Sequence, residues 1–333
     1  MNEHLNNSVI LPAWLDHIIF NELGAVYNPD HFKFSYNLDH TKNDILVYLG
    51  TYFPRSYAEA YIIMCDLLAN ETVRSVYAAK NSISILDLGC GTGGEIIGAI
   101  CAFADILGSD RTFKVVAIDG NQNAIDMFEH MRFKVENIRG LSIKSDICPF
   151  PIENAEDMAL LGDVIEERYD IILSFKAVNE FIQRKRFPQN AYKHFCEILA
   201  PFLAKKGFLV MLDVTTKNDV SGLYYPVMMN NGVNDFLRDN TAFTTLLPIP
   251  CFLKNSECNE LCYMQQRFYV SHSSRVCDLS KVSYRVIGFK DFISTLHLIR
   301  QEPDVSYVVN ANGDVCCKYF SGGKKKNGFK INS

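Results

Sequence analysis

Apolar positions along this 333-residue chain follow two regimes. Over the first quarter they recur at helical spacing. Residues 11–19 carry a proline in what reads as a first helical turn, Pro12. Residues 44–49 form a short apolar segment. Residues 52–68 repeat apolar side chains every three or four positions, which predicts an amphipathic helix entered through Pro54. Residues 1–80 therefore read as an N-terminal helical cap, placed on the substrate side of the domain after it. From residue 81 the regime changes to short apolar runs alternating with helical patterns. Strands are predicted at 84–88, 114–119, near 141–143, at 169–175 and at 207–213, with helices at 96–102, 123–133 and 190–203. The acidic stretch 148–168 reads as a long loop. This alternation predicts an α/β domain, 81–333, with a parallel sheet covered by helices on both faces. Beyond it, 223–237 reads as a helix, 282–289 and 306–310 as the last strands, and Cys316-Cys317 as part of a closing strand. A cysteine-rich insertion, 246–280, precedes those last strands.

The chemistry concentrates where the first of these strands runs into Asp87-Leu88-Gly89-Cys90-Gly91-Thr92-Gly93-Gly94. Glycines accept positive φ and let a ligand approach the backbone, and the helix behind them offers unpaired N–H groups. Gly89, Gly91 and Gly94 fit the spacing of a dinucleotide-binding turn. Asp87, Gly89, Gly91 and Gly93 fit another pattern, the first motif of class I S-adenosylmethionine (SAM) methyltransferases, which the stretch closely resembles. Asp87 favours the second, since an acid before the turn repels a pyrophosphate. The resemblance implies a Rossmann-like methyltransferase sheet with Asp87 holding the amino end of SAM. Asp119 ends the next strand, where an acid accepts both ribose hydroxyls in NAD and SAM proteins alike. The same resemblance places Asp146 near the adenine amine. Ligand in such sheets sits at the carboxyl ends of the strands, where Gly89, Asp119 and Ser174 all fall.

Composition narrows the picture. A net charge of −5 argues against a protein wrapped wholesale in nucleic acid. The run Lys324-Lys325-Lys326 is the clearest local basic feature. No signal peptide, presequence or membrane-length apolar run is visible, so the expectation is a cytoplasmic protein with no membrane partner. The 11 cysteines then read as intracellular thiols. Cys65, Cys101 and Cys196 sit in apolar helices, as buried thiols do. Cys251, Cys258 and Cys262 instead cluster in a polar stretch opened by Pro248 and Pro250, which suits a soft metal: zinc or an iron–sulfur cluster. Cys277, Cys316 and Cys317 are candidates for a fourth ligand, with His272 if the metal is zinc.

A second resemblance bears on this cluster. Phe53-Pro54-Arg55-Ser56-Tyr57-Ala58, the turn 86–93, the stretch 169–181, and Pro250-Cys251 with Cys258, Cys262 and Arg275 together resemble a methyltransferase-like family associated with assembly of the small ribosomal subunit. That resemblance implies a [4Fe–4S] cluster held by Cys251, Cys258, Cys262 and one distant cysteine, with Cys316 or Cys317 at a suitable separation. It also implies rRNA or the small subunit as partner. The compressed cysteine spacing, Asn259 and Leu261 depart from the family pattern.

No catalytic side chain is expected, because SAM carries its own electrophile and the protein need only hold a nucleophile in line with it. Ser174-Phe175-Lys176-Ala177 stands where base amino-methylating enzymes carry Asn-Pro-Pro-Tyr. Glu180 is weighed as a base and Phe175 as a stacking group. Three readings remain open: a methyltransferase acting on RNA or a ribosomal component, a small-molecule methyltransferase, and a non-catalytic SAM- or metal-binding assembly factor.

Overall fold

The computed structural model describes residues 7–29, 38–165, 167–183, 190–219, 221–254, 262–296, 306–309 and 315–318. The chain opens with β1 (Ser8–Ile10), α1 (Ala13–Asp16, continued by a π-helical turn to Glu22), α2 (Lys42–Thr51), α3 (Phe53–Ala69) and α4 (Glu71–Ala78). The alternating part comes next: β2 (Ser82–Leu88), α5 (Gly94–Leu107), β3 (Thr112–Asp119), α6 (Gln122–Arg139), β4 (Ser142–Pro149), α7 (Ala155–Val164), β5 (Tyr169–Phe175), α8 (Val178–Gln183), α9 (Ala191–Leu199) and β6 (Leu203–Val214). The chain continues with α10 (Tyr225–Asp239), β7 (Phe243–Leu247), α11 (Ile249–Lys254), β8 (Gln266–His272), β9 (Arg275–Phe289), α12 (Lys290–Ser294), β10 (Ser306–Val309) and β11 (Val315–Lys318).

The main sheet has the order β1-β8-β9-β6-β5-β2-β3-β4, with β7 also paired to β9. Strands β6, β5, β2, β3 and β4 are mutually parallel, and β9 runs antiparallel to β6. This is the mixed α/β, Rossmann-like sheet that the apolar alternation predicts. Strand β9 is long enough to serve several neighbours. Its first half pairs with β8, and its second half lies between β6 and β7.

Helices on both faces bury the sheet twice over. Ile83, Ile85, Ile171, Leu173, Val210 and Leu212 belong to the core under α3, α5 and α6. Leu86, Leu88, Ile172, Leu209 and Met211 belong to the core under α7, α9 and α10. Successive side chains on a strand point to opposite faces, so strands covered on both sides read as unbroken apolar runs. Helix α3 lies tight along α5: a Cβ at Gly98 would stand 2.4 Å from the Tyr57 carbonyl oxygen. Among the described residues, no helix is long and apolar enough to cross a membrane.

Several elements differ from the sequence reading. Strand β4 extends to Pro149, because all eight of its residues pair with β3. Within the acidic stretch, Asn154 and Asp157 form a capping box that starts α7. Residues 246–251 are the end of a strand and the start of a helix, and β8 lies inside the span read as a cysteine-rich insertion. The pair β10–β11 forms its own two-stranded antiparallel sheet and does not close the main one. The N-terminal segment is not only helical: β1 pairs in parallel with β8 at the sheet edge.

Candidate functional site

The carboxyl ends of β2, β3 and β5 converge on one cleft, and the turn after β2 forms its floor. Gly89, Gly91 and Gly93 have φ of 82°, 49° and 78°, a left-handed conformation that side-chain-bearing residues adopt only at a cost. The turn is anchored by Gly89 N–H and Cys90 N–H, which donate to the Ile118 carbonyl at 2.8 and 3.1 Å. The cleft is narrow, a cavity of about 40 Å³ that opens to solvent on one side. Its lining includes Leu38, Tyr48, Gly89, Asp119, Phe150, Phe175, Lys176, Glu180 and Phe181.

Asp119 sits in the cleft wall and ties two loops together. Its carboxylate accepts from Gly91 N–H at 2.7 Å and Asn121 N–H at 2.8 Å. Burial pushes its pKa up, while backbone donors from Asn121, Gly91 and Gly120 pull it back. The Asn121 amide then donates to the carbonyls of Leu38 and His40, each at 3.2 Å, so the N-terminal segment is held over the cleft.

Asp87 lies beneath the turn with no exposure to solvent. Neither of its carboxylate oxygens has a hydrogen-bond partner among the described residues. Burial, then the charges of Glu95 and Asp119, push its pKa well above the ordinary carboxylate range. Glu95, in the first turn of α5, is raised to about 8, chiefly by burial. Tyr48, reaching over from α2, is also raised by burial and by Glu180, Glu95 and Asp119. A buried carboxyl without a partner costs free energy, and several together cost more, unless a cation joins them. A cation beside Asp87 and Glu95 would therefore be stabilising.

Lys176 supplies the one basic side chain among the lining residues described. It has a φ of 59°, unusual for a residue with a side chain. Two groups bond to its backbone there. Lys176 N–H donates to the Leu212 carbonyl at 2.7 Å, and the Asn179 amide donates to the Lys176 carbonyl at 2.7 Å. Asn179 in turn is gripped by Asp213, through its backbone N–H at 2.9 Å and its amide at 2.6 Å. The Tyr192 hydroxyl donates to the same carboxylate at 2.8 Å. Burial raises Asp213 to about 6 against these donors.

The structure brings Asp87, Gly89, Gly91, Gly93 and Asp119 together. Ser174 is fully buried, its hydroxyl without a hydrogen-bond partner among the described residues, one residue before Phe175 of the cleft lining. Asp146 stays apart. It is exposed in mid-strand opposite Val116, and Phe150, past the end of β4, takes the place at the cleft. Sequence reasoning missed Tyr48, Glu59, Glu95, Lys176 and Asp213. Glu59 carried a signal: it is a charge on the core face of an apolar helix, one turn from Arg55, and is fully buried.

The cysteine candidates are dispersed in character. Cys262 is 2% exposed, next to buried Tyr263 and Met264. Cys251 is half-buried in α11, and Cys277 is exposed on β9. Cys258 lies outside the described residues, and for Cys316 and Cys317 only the backbone pairing of β11 with β10 is described. Among the described residues, no three His, Cys, Asp or Glu side chains are grouped to hold a metal ion.

No protein-family model matches the chain, and no curated protein does. Solved structures are similar at low identity. A class I S-adenosylmethionine-dependent methyltransferase from Listeria monocytogenes aligns with 13% identity and a TM-score of 0.39, covering 83% of this chain and 80% of that one. An RNA methyltransferase from Pyrococcus horikoshii gives 12% identity and a TM-score of 0.39 over 82% and 96%. A ribosomal protein L11 methylase from Lactobacillus delbrueckii gives 13% and 0.34 over 71% and 79%.

Proposed function

We propose that the chain binds S-adenosylmethionine in this cleft and transfers its methyl group. The buried Asp87 carboxylate, unpartnered beneath the glycine turn, carries the reading. SAM brings a sulfonium and an ammonium, a positive partner for the Asp87 carboxyl, which has no hydrogen-bond partner among the described residues. A pyrophosphate cofactor would bring more negative charge to the same place. When bound, the cofactor supplies an electrophilic methyl group. The protein's own residues do the rest: Asp87 and Glu95 are available to the amino end and Asp119 to the ribose. Phe150 and Leu38 wall the cleft against water, and Asp213 fixes the backbone of Lys176 through Asn179. The cysteine residues described do not assemble a cluster site, and no step runs through one.

For the acceptor, the resemblance of the helix start and cysteine stretch to the ribosome-assembly family supports rRNA or another small-subunit component. The cleft itself supports a compact acceptor, since it is narrow and Tyr48, Phe175, Phe181 and Glu180 all line it. Calorimetry on the full chain with SAM and with NAD tests the cofactor: SAM binding without NAD binding is expected, and the reverse overturns the reading. Incubation with methyl-labelled SAM and either small-subunit RNA or a metabolite fraction separates the acceptors. Label in neither, with SAM bound, supports a non-catalytic binding protein.

A further inference from the structure

We propose that Lys176 is the carboxylate receptor of the cleft, its ammonium taking the α-carboxylate of the bound cofactor's amino-acid end. The inference rests on the SAM reading above and names the residue that completes it. An ammonium has three N–H donors. Lys176 Nζ gives one to Glu59 Oε2 at 2.6 Å and one to Ser56 Oγ at 3.3 Å. The third has no acceptor among the described residues, and the side chain keeps 14% of its surface exposed where it lines the cleft.

Position agrees with valence. Ser56 packs at the head of α5, where a Cβ on Gly94 would stand 3.0 Å from Ser56 Cβ. Glu95, the next residue, lies close enough to feel the Lys176 charge. The head of α5 thus carries a positive group on its α3 side, with two buried carboxyls, Asp87 and Glu95, beside it. That pattern is the mirror of a zwitterion. The ammonium of the ligand meets Asp87 and Glu95, and its carboxylate meets Lys176.

A purely structural tie between α3 and β5 explains the pair less well. Glu59 Oε1 is buried and has no hydrogen-bond partner among the described residues, so the bridge leaves part of its own carboxylate unsatisfied. A buried ion pair with imperfect satisfaction is poor stabilisation compared with apolar packing. Held in a left-handed conformation by Leu212 and Asn179, Lys176 is instead a charge kept in place at the cleft wall.

The test is calorimetry on the full-length protein with three probes: S-adenosylhomocysteine, its decarboxylated analogue, which keeps the ammonium, and 5′-methylthioadenosine, which lacks the whole amino-acid end. Wild type is expected to prefer S-adenosylhomocysteine over the decarboxylated analogue by about tenfold or more. Lys176→Met is expected to abolish that preference and leave affinity for the decarboxylated analogue within about twofold. The double variant Lys176→Met with Glu59→Gln removes the stranded buried charge, so loss of folding in the single variant does not decide the outcome. A preference that survives in the folded variant overturns the assignment to Lys176 and leaves the SAM reading standing. Failure of wild type to bind any of the three overturns both.

Discussion

Arg55 and Asp278 meet as a two-pronged pair, Nε to Oδ2 at 2.7 Å and Nη2 to Oδ1 at 2.8 Å, although α3 and β9 lie far apart in sequence. Both side chains are buried. The Tyr27 hydroxyl adds a third donor to the carboxylate at 3.1 Å. His272 stands with Nε2 at 3.9 Å from it, its ring stacked on Phe20. The pair pins the N-terminal segment to the β8–β9 hairpin, independently of the cleft.

Breaking that pair is therefore expected to destabilise the fold. Burial raises the Asp278 pKa, but His272 and Arg55 outweigh it and hold the carboxyl well below its ordinary range. A depressed carboxyl stabilises the folded state above its unfolded pKa of about 3.9 and loses that contribution as pH falls further. Arg55→Met is expected to cost about 3 kcal/mol at neutral pH, as for other buried pairs broken on one side. Urea midpoints should show this cost shrinking between pH about 4 and pH about 2. A cost unchanged in acid contradicts the electrostatic account.

Asp87→Asn should separate stability from ligand binding. It removes a buried, unpartnered carboxyl, so the unliganded protein is expected to gain about 1 kcal/mol or lose nothing. Affinity for S-adenosylhomocysteine should fall about tenfold or more, the worth of a charged hydrogen bond. Thermal melts with and without ligand measure both at once. Loss of stability without loss of affinity would make Asp87 a structural acid.

Glu95 gives the site a pH signature. Its folded pKa of about 8 lies above the ordinary value of 4.5, so the folded protein holds a proton that the unfolded chain has released. Stability of the unliganded protein is then expected to fall as pH rises from about 5 to about 8. Binding of a cationic ligand runs the other way, because the carboxylate form attracts it: affinity should rise with pH and level off above about 8. Glu95→Gln should flatten both profiles.

Two glycines distinguish conformational from steric cost. Gly140 has a φ of 59°, and a Cβ placed there would meet nothing within 4 Å, so Gly140→Ala should cost only the left-handed penalty of about 1 kcal/mol. Gly93 has a φ of 78°, and a Cβ there would stand 2.1 Å from Phe128 Cδ2. Gly93→Ala is expected to cost about 2 kcal/mol more by overpacking, with cofactor affinity lost as the turn shifts. Chemical denaturation of both variants makes the comparison.

What was legible in the sequence was local or doubly buried. The turn 87–94 announces itself because its conformation demands glycine, and Ile171-Ile172-Leu173 reads as a strand because both of its faces meet helices. Long-range electrostatics left almost no trace. Lys176 and Glu59 are 117 positions apart, and nothing near either names the other. Helix α7 hid behind its acidic residues, although Met158 and Leu161 are fully buried at helical spacing. The burial of Cys262 beside Tyr263 and Met264 was not legible either, because the residues before it are mostly polar. Asp146 lies away from the cleft lining for a geometric reason the sequence did not show: the ladder with β3 runs three residues past it.

The edge strand β1 places a demand on how the protein is made. Ser8 pairs with Tyr269 and Ile10 with Ser271, so β1 is made long before β8 and can pair only once that strand has followed it. Until then the β2–β6 sheet must gather around α3 and α5 with that segment waiting unpaired. Closure of this edge is a late, high-contact-order event, and it makes the order of synthesis the reverse of the order of completion at this end of the sheet.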